Sequence, residues 1–387
     1  MLTILLCRGT SMLTERAVRK SLIESGFGLV ELMVALVIGL VSTLVIQQVL
    51  TAFEGQKRTS TSGTDAQING SVALYTVEQA IRQAGYGLYG ADGKLLCPLG
   101  INIFYDGVVK SNGGLDFSVP VIIRPGQGAR GSDVIQTLFS DSDFGSIPTT
   151  VVKKMPTPSA EITASGNGGL KQTDTFVVAG KNGSKVCTLM QMSQDPQKTG
   201  NGWNLQHNSG QYLYNPANPS NVFTNAPEYT IGDVVVNMGA FAQQYFLIPN
   251  NAGCNRSLSV GGATAPIAFN TCDPVPLVDQ IVFMAAQYGI SPAGSTQVSE
   301  WRSASNFDIL ADPKTTVPRV RAIRLAIVAR STQFEKEEVS PAAITLWEAG
   351  LPGDPPPVFN IDADGRHYRY KVYSTIVPIR NVIWGGV

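Results

Sequence analysis

The chain has 387 residues, 43% hydrophobic and 15% charged, with a formal net charge of zero. That balance excludes a disordered chain, and the neutral charge gives no electrostatic basis for binding nucleic acid. The 39 glycines and 23 prolines, with many Ser, Thr and Asn, predict a loop-rich β protein.

The N-terminal region carries the clearest pattern. From Phe27 to Ile46 the chain reads FGLVELMVALVIGLVSTLVI, 20 residues with Glu31 as the one charge. As a helix this run spans about 30 Å, the thickness of a bilayer's hydrocarbon core. Upstream, Arg8, Arg16, Arg19 and Lys20 outnumber Glu15 and Glu24. The positive-inside rule therefore puts this end in the cytoplasm and the bulk of the chain across the membrane. A secretory signal fits poorly, because the apolar run is too long and no small-x-small site follows it. A lipid anchor at Cys7 lacks the small residue and the long apolar run that should precede it.

Glu31 is the anomaly. A carboxylate in a membrane helix is costly and by default functional. It lies one helical turn after Phe27. Were the chain cut before Phe27, the new α-amino group would be positive, and Glu31 could neutralise the amine of a neighbouring copy. The bland alternative is a glutamate snorkelling to the interface. Position alone does not separate the two.

The segment Ser25-Gly26-Phe27-Gly28-Leu29-Val30-Glu31-Leu32-Met33-Val34 resembles the class III signal of type IV prepilins and pseudopilins. The resemblance implies a leader over 1–26, cleavage between Gly26 and Phe27 by a prepilin peptidase, N-methylation of Phe27, and a role for Glu31 in assembly. Met12 is an alternative start that would shorten the leader and remove Cys7. Gln48 stands where many major pilins have proline, so no proline kink is expected there.

Beyond the transmembrane segment, 27–50, the helix is expected to continue over 51–87, with a soft break near Gly63. Ile68, Val72, Leu74, Val77, Ile81 and Ala84 recur at helical spacing and are expected to pack on a sheet. Glu78 and Arg82 form an i,i+4 pair, and Gly85-Tyr86-Gly87 ends the helix. A β-rich head should fill 88–387. Its strands are expected at Val119–Ile123, Val134–Phe139, Thr175–Ala179, Val234–Val236, Gln280–Met284, Ile323–Val328 and Tyr370–Ile376, separated by Gly, Pro, Asn and Ser clusters. The fold class is α+β and pilin-like: one long N-terminal helix, its first half membrane-spanning, packed on a large antiparallel head.

With Cys7 lost in the leader, Cys97, Cys187, Cys254 and Cys272 remain. Four cysteines in an exported chain favour two disulfides, which leaves three connectivities. The preferred pairing is Cys254 with Cys272, a local loop, and Cys97 with Cys187. His207 and His367 are the only histidines, so neither a zinc site nor a Ser-His-Asp arrangement is expected. Gly126-Gln127-Gly128-Ala129-Arg130-Gly131 matches G-x-G-x-x-G, but the residues after it read as a strand rather than the helix that dinucleotide binding needs. Asp362-Ala363-Asp364-Gly365 lacks the closing glutamate of a calcium loop and reads as a turn. Arg319, Arg321, Arg324 and Arg330 are expected on a solvated strand face. No cofactor, metal or catalytic residue is expected, and the chain is not expected to be an enzyme.

Several segments are similar to the PilW family of type IV pilus minor pilins: Glu78–Tyr86, Gly131-Ser132-Asp133, Gln287-Tyr288-Gly289-Ile290, Val320–Ser331, and Val377-Pro378-Ile379-Arg380-Asn381. Their order covers most of the mature chain. The resemblance implies a minor pilin that joins other minor pilins, and the major pilin, in a priming and tip complex, often beside a PilY-type adhesin. It implies an inner-membrane protein with one span and a periplasmic head, which moves to the fibre tip on assembly. A J-type minor pseudopilin of type II secretion shares the signal and is the alternative. The longer head and the Pro-Ile-Arg-Asn segment favour the pilus.

Overall fold

The computed structural model describes residues 28–90, 93–142, 147–262 and 268–384. The leader and the Gly26–Phe27 bond lie outside the described residues.

Helix α1 runs Leu29–Gln83. It passes through Gly63 without the expected break, because one glycine weakens a helix by only about 1 kcal/mol and the neighbouring turns keep their ladder. It stops at Gly85, whose φ of +86° is the left-handed conformation that ends helices and that only glycine adopts freely. The chain divides into two compact units at Arg58 and Thr59.

The second unit is the head, and three sheets dominate it. A five-stranded antiparallel sheet has the order Val275–Asp279, Ser257–Gly262, Ala242–Leu247, Val134–Phe139, Val121–Arg124. A four-stranded antiparallel sheet has the order Glu300–Arg302, Ile281–Ile290, Val320–Arg330, Tyr370–Pro378. The third sheet, of six strands, is mixed. Its Ile101–Tyr105 and Cys187–Gln191 strands run parallel, Ile101 opposite Cys187. The expected architecture, a long N-terminal helix and a large antiparallel β-rich head, is present with this one parallel pair as the exception. A parallel pair needs a long crossover, which no local sequence pattern announces.

All seven expected strands are found, and most extend further. Ile281–Ile290 and Val320–Arg330 are the longest, at 10 and 11 residues, and every position is buried except half-buried Arg324. Both faces of these strands are covered. Met284, Tyr288, Ile323, Leu325 and Ile327 point into the main core with α1 and the other two large sheets. Phe283, Ala285, Ala326 and Val328 face a second cluster with Trp347, Phe359 and Ile361. A strand buried on both sides reads as a continuous apolar run. A third cluster, with Phe176, Met190, Leu205 and Tyr229, fills the far side of the six-stranded sheet.

Candidate assembly surface

The first turn of α1 shows how Glu31 is held. It is the third residue of the helix, and its carboxylate reaches back to accept the N–H of Gly28 at 3.1 Å. This is half of a capping box, and it satisfies one donor that the helix start leaves free. A carboxylate there also meets the positive end of the helix dipole.

From Leu29 to Lys57 the helix is long and apolar enough to cross a membrane, with mean hydropathy 2.6 and none of that stretch buried within the protein. Leu29, Leu32, Met33, Leu36, Ile38, Leu40, Leu44 and Phe53 all lie open. A helix apolar all round needs lipid or other helices as its solvent.

In the head, α1 turns a narrow face to the sheets. The buried stripe is Ala66, Gly70, Ala73, Val77, Ala80, Ile81 and Ala84. Its members are spaced by three and four, and most are small, so the helix backbone lies close to the strands. A β-carbon on Gly70 would sit 2.2 Å from Cε2 of Tyr373. Ile68 and Val72 are not in this stripe, contrary to expectation. Both are exposed, as is Tyr75 at 62%. Val77, Ile81 and Ala84 are buried as expected and Leu74 packs against the core, while close packing gives the remaining buried places to Ala66, Gly70, Ala73 and Ala80. Ile68, Val72 and Tyr75 form an i, i+4, i+7 row on the opposite side of the helix.

The short motifs singled out in the sequence turn out to be junctions. Asn381 Nδ2 donates to the carbonyls of Gln83 (3.3 Å) and Ala84 (3.0 Å), the last acceptors of α1, while the Gly85 N–H donates to the Leu138 carbonyl at 2.9 Å. The Glu78–Tyr86 segment and the Pro-Ile-Arg-Asn segment therefore meet. Asp133 joins two sheets. Its Oδ2 accepts the Ala286 N–H at 2.8 Å, its Oδ1 accepts the Gly126 N–H at 3.1 Å, and its own N–H donates to Met284 O at 2.8 Å. Burial pushes its carboxyl up to about 6, only partly offset by the two N–H donors. Tyr288 is fully buried and its hydroxyl accepts the Ile123 N–H at 2.7 Å.

The arginines of the Val320–Arg330 strand correct the expectation of a solvated face. Arg321 is buried and donates to Ser291 Oγ and Ser295 O. Arg324 lies over Trp347, 4.7 Å from the ring centroid, and over Trp301 at 5.7 Å. Arg330 is buried and stacks on Tyr368 at 4.1 Å. The strand is internal to its sheet, so its polar side chains are covered by the loops that cross it.

Cys97 and Cys187 form a disulfide with Cα atoms 5.6 Å apart, and Cys254 and Cys272 a second at 5.9 Å. The first closes in the core, where the parallel pair begins. The glycine-rich loop makes a short 3-10 turn over Ala129–Gly131 and leads into the Val134–Phe139 strand, so no helix N-terminus faces it. Asp362 Oδ1 accepts the Gly365 N–H at 2.7 Å, which is a turn. His207 is buried, and burial lowers its imidazole to about 4.

Residues 244–381 match the family described as PilW, type IV pilus-assembly protein W. The match takes in the whole four-stranded sheet and Asn381. A type IV-like pilin from Thermus thermophilus is similar in structure at a TM-score of 0.31 and 11% identity, over 82% of this chain and 96% of that one. No curated protein matches the chain.

Proposed function

We propose that this chain, whose residues 244–381 match the PilW family of type IV pilus-assembly proteins, is a minor pilin that joins other minor pilins in the complex that primes the fibre and stays at its tip. Its work is assembly, not catalysis. The observation that carries the reading is Glu31 in the first turn of α1, at the head of its apolar stretch and four residues from the expected new N-terminus.

The chemistry follows from the cost of burying charge. After cleavage behind Gly26, Phe27 carries an ammonium group at the membrane-facing end of the helix. Among the described residues Glu31 accepts from the Gly28 N–H, a neutral donor. A hydrogen bond to a charged donor is about twice as strong as one to a neutral donor. Pairing Glu31 with the ammonium of a neighbouring helix therefore offsets the desolvation of both groups and sets parallel helices in a stagger. N-methylation of Phe27 keeps that charge. The apolar span supplies helix-to-helix contact, and the head offers unlike neighbours its loops and the Tyr370–Pro378 edge strand, with Ile376 exposed. The single span would hold the chain in the inner membrane, head outward, until assembly. Other minor pilins, the major pilin and a PilY-type adhesin are the proposed partners.

Mass spectrometry of the membrane-extracted protein tests the first step: N-methylated Phe27 is expected, and an intact leader would refute it. Glu31→Ala is expected to abolish recovery of the chain in sheared fibres while its head unfolds at the parental temperature. Normal incorporation of Glu31→Ala would sink the charge-pairing mechanism.

A further inference from the structure

One cavity in the head has a composition that assembly through α1 does not explain. It measures about 340 Å³, within the usual range for small-ligand sites. Three arginines from separate parts of the chain line it: Arg130 from the glycine-rich turn, Arg256 from the loop two residues past Cys254, and Arg330 from the end of the longest strand. Among the described residues none of the three forms an ion pair.

The three are held in place by the fold. Arg130 Nη1 donates to the Asn255 carbonyl at 2.9 Å, next to Arg256. The Arg256 carbonyl accepts the Ile281 N–H at 3.0 Å. Arg330 donates through its backbone N–H to Gln280 O (2.8 Å) and through Nη2 to Gln280 Oε1 (3.1 Å). Arg330 is 7% exposed, and its Nε has no hydrogen-bond partner among the described residues. A buried guanidinium with an unfilled donor is costly, and the cost rises with two like charges nearby. Burial and then the charge of Arg256, with a smaller contribution from Arg130, lower the pKa of Arg330. Two non-glycine residues in the left-handed region frame the site, Arg130 at φ +55° and Gln280 at φ +60°. Such backbone is costly and collects where a site needs a set geometry. The wall is completed by Tyr368, Tyr370 and the carboxylates Asp362 and Asp364. Asp362 Oδ1 is already engaged by the Gly365 N–H.

We propose that this cavity is a binding site for an oxyanion, the phosphate or carboxylate group of a small solute, held by Arg330, Arg256 and Arg130. The guanidinium fork matches both groups in a bidentate way. Tyr368 and Tyr370 leave room for a body attached to the anionic head, and the two aspartates on the wall suit hydroxyl groups on it. The site is independent of Glu31 and of cleavage at Gly26.

The test uses the full chain in detergent, titrated calorimetrically with inorganic phosphate and separately with acetate, against sodium chloride at equal ionic strength. Saturable one-to-one binding of either is expected, and which of the two binds tells a tetrahedral from a planar oxyanion. Arg330→Gln should weaken it tenfold or more and Arg256→Gln by about tenfold. Arg256 is exposed, so the second variant keeps the test valid if the first fails to fold. Binding no stronger than chloride, or unchanged in Arg256→Gln, overturns the proposal.

Discussion

Gly70 decides how closely α1 lies on the head, and replacing it with alanine gives a test whose sign depends on one ring. A β-carbon there would lie 2.2 Å from Cε2 and 2.4 Å from Cδ2 of Tyr373. Carbon atoms pack at about 3.5–4.0 Å, so the ring must retreat by more than about 1 Å. Overpacking of this kind costs about 1–3 kcal/mol. Against it stands the helix propensity of alanine, about 1 kcal/mol better than glycine. The balance is a loss of about 1 kcal/mol for Gly70→Ala. In a Tyr373→Ala background the ring is gone and only the propensity remains, so the same change should stabilise by about 1 kcal/mol. The expected coupling is about 2 kcal/mol, well above the ~0.5 kcal/mol scatter of independent sites. Tyr373→Phe keeps the ring and should keep the loss. Urea unfolding of the four proteins of the cycle in detergent, followed by near-ultraviolet circular dichroism, measures it. A change of the same sign in both backgrounds would refute the close-packing argument and the reading of the small-residue stripe as the buried face.

The two disulfides should differ in worth. Cys97 and Cys187 are 90 residues apart and Cys254 and Cys272 are 18 apart. Chain entropy then gives about 4–5 kcal/mol for the first and about 3 kcal/mol for the second. Paired Cys→Ala variants, unfolded in guanidinium chloride, should rank in that order, and the reverse order would show that loop entropy does not govern them. Stability between pH 4 and 6.5 should show two opposed slopes. His207 falls to about 4 in the fold, so the unfolded chain protonates first as pH drops. The stability His207 contributes is complete above about pH 6.5 and lost towards pH 4, up to about 3 kcal/mol. Asp133 rises to about 6, so its contribution is complete below about pH 4 and lost as pH climbs through 6. His207→Leu removes the first slope. That variant should gain stability relative to the parent as pH falls from 6.5 to 4, and parallel curves would refute the buried neutral imidazole.

Much of the functional surface is visible along the chain because it depends on local properties. A run of apolar residues long enough for a bilayer, a basic stretch before it and one glutamate at fixed spacing need no tertiary contact to be read. Glu31 needs only the first helical turn to meet Gly28. The strands Val134–Phe139 and Thr175–Ala179 were likewise legible with their ends, since each is a compact apolar run bounded by turn residues. Ser257–Gly262 and Val108–Gly114 were not, because SLSVGG and VVKSNGG carry little β signal and become strands only when a neighbour supplies hydrogen-bond partners.

What tertiary structure alone decided concerns groups that meet across long separations. Asn381 closes the end of a helix some 300 residues earlier (the Nδ2-to-Ala84 bond has a separation of 297). The arginines on the Val320–Arg330 strand read as solvated because alternation with apolar residues describes one strand, and not what covers it. Arg130, Arg256 and Arg330 have no shared pattern in sequence and line one cavity only where a turn, a loop and a strand end converge. The sequence by itself determined the long apolar span, the carboxylate and the class of fold, because these follow from hydropathy and spacing along one chain. The folded head determined which helix face is buried, which cysteines join and where charge is left unpaired, because those depend on distances that close only when the sheets pack.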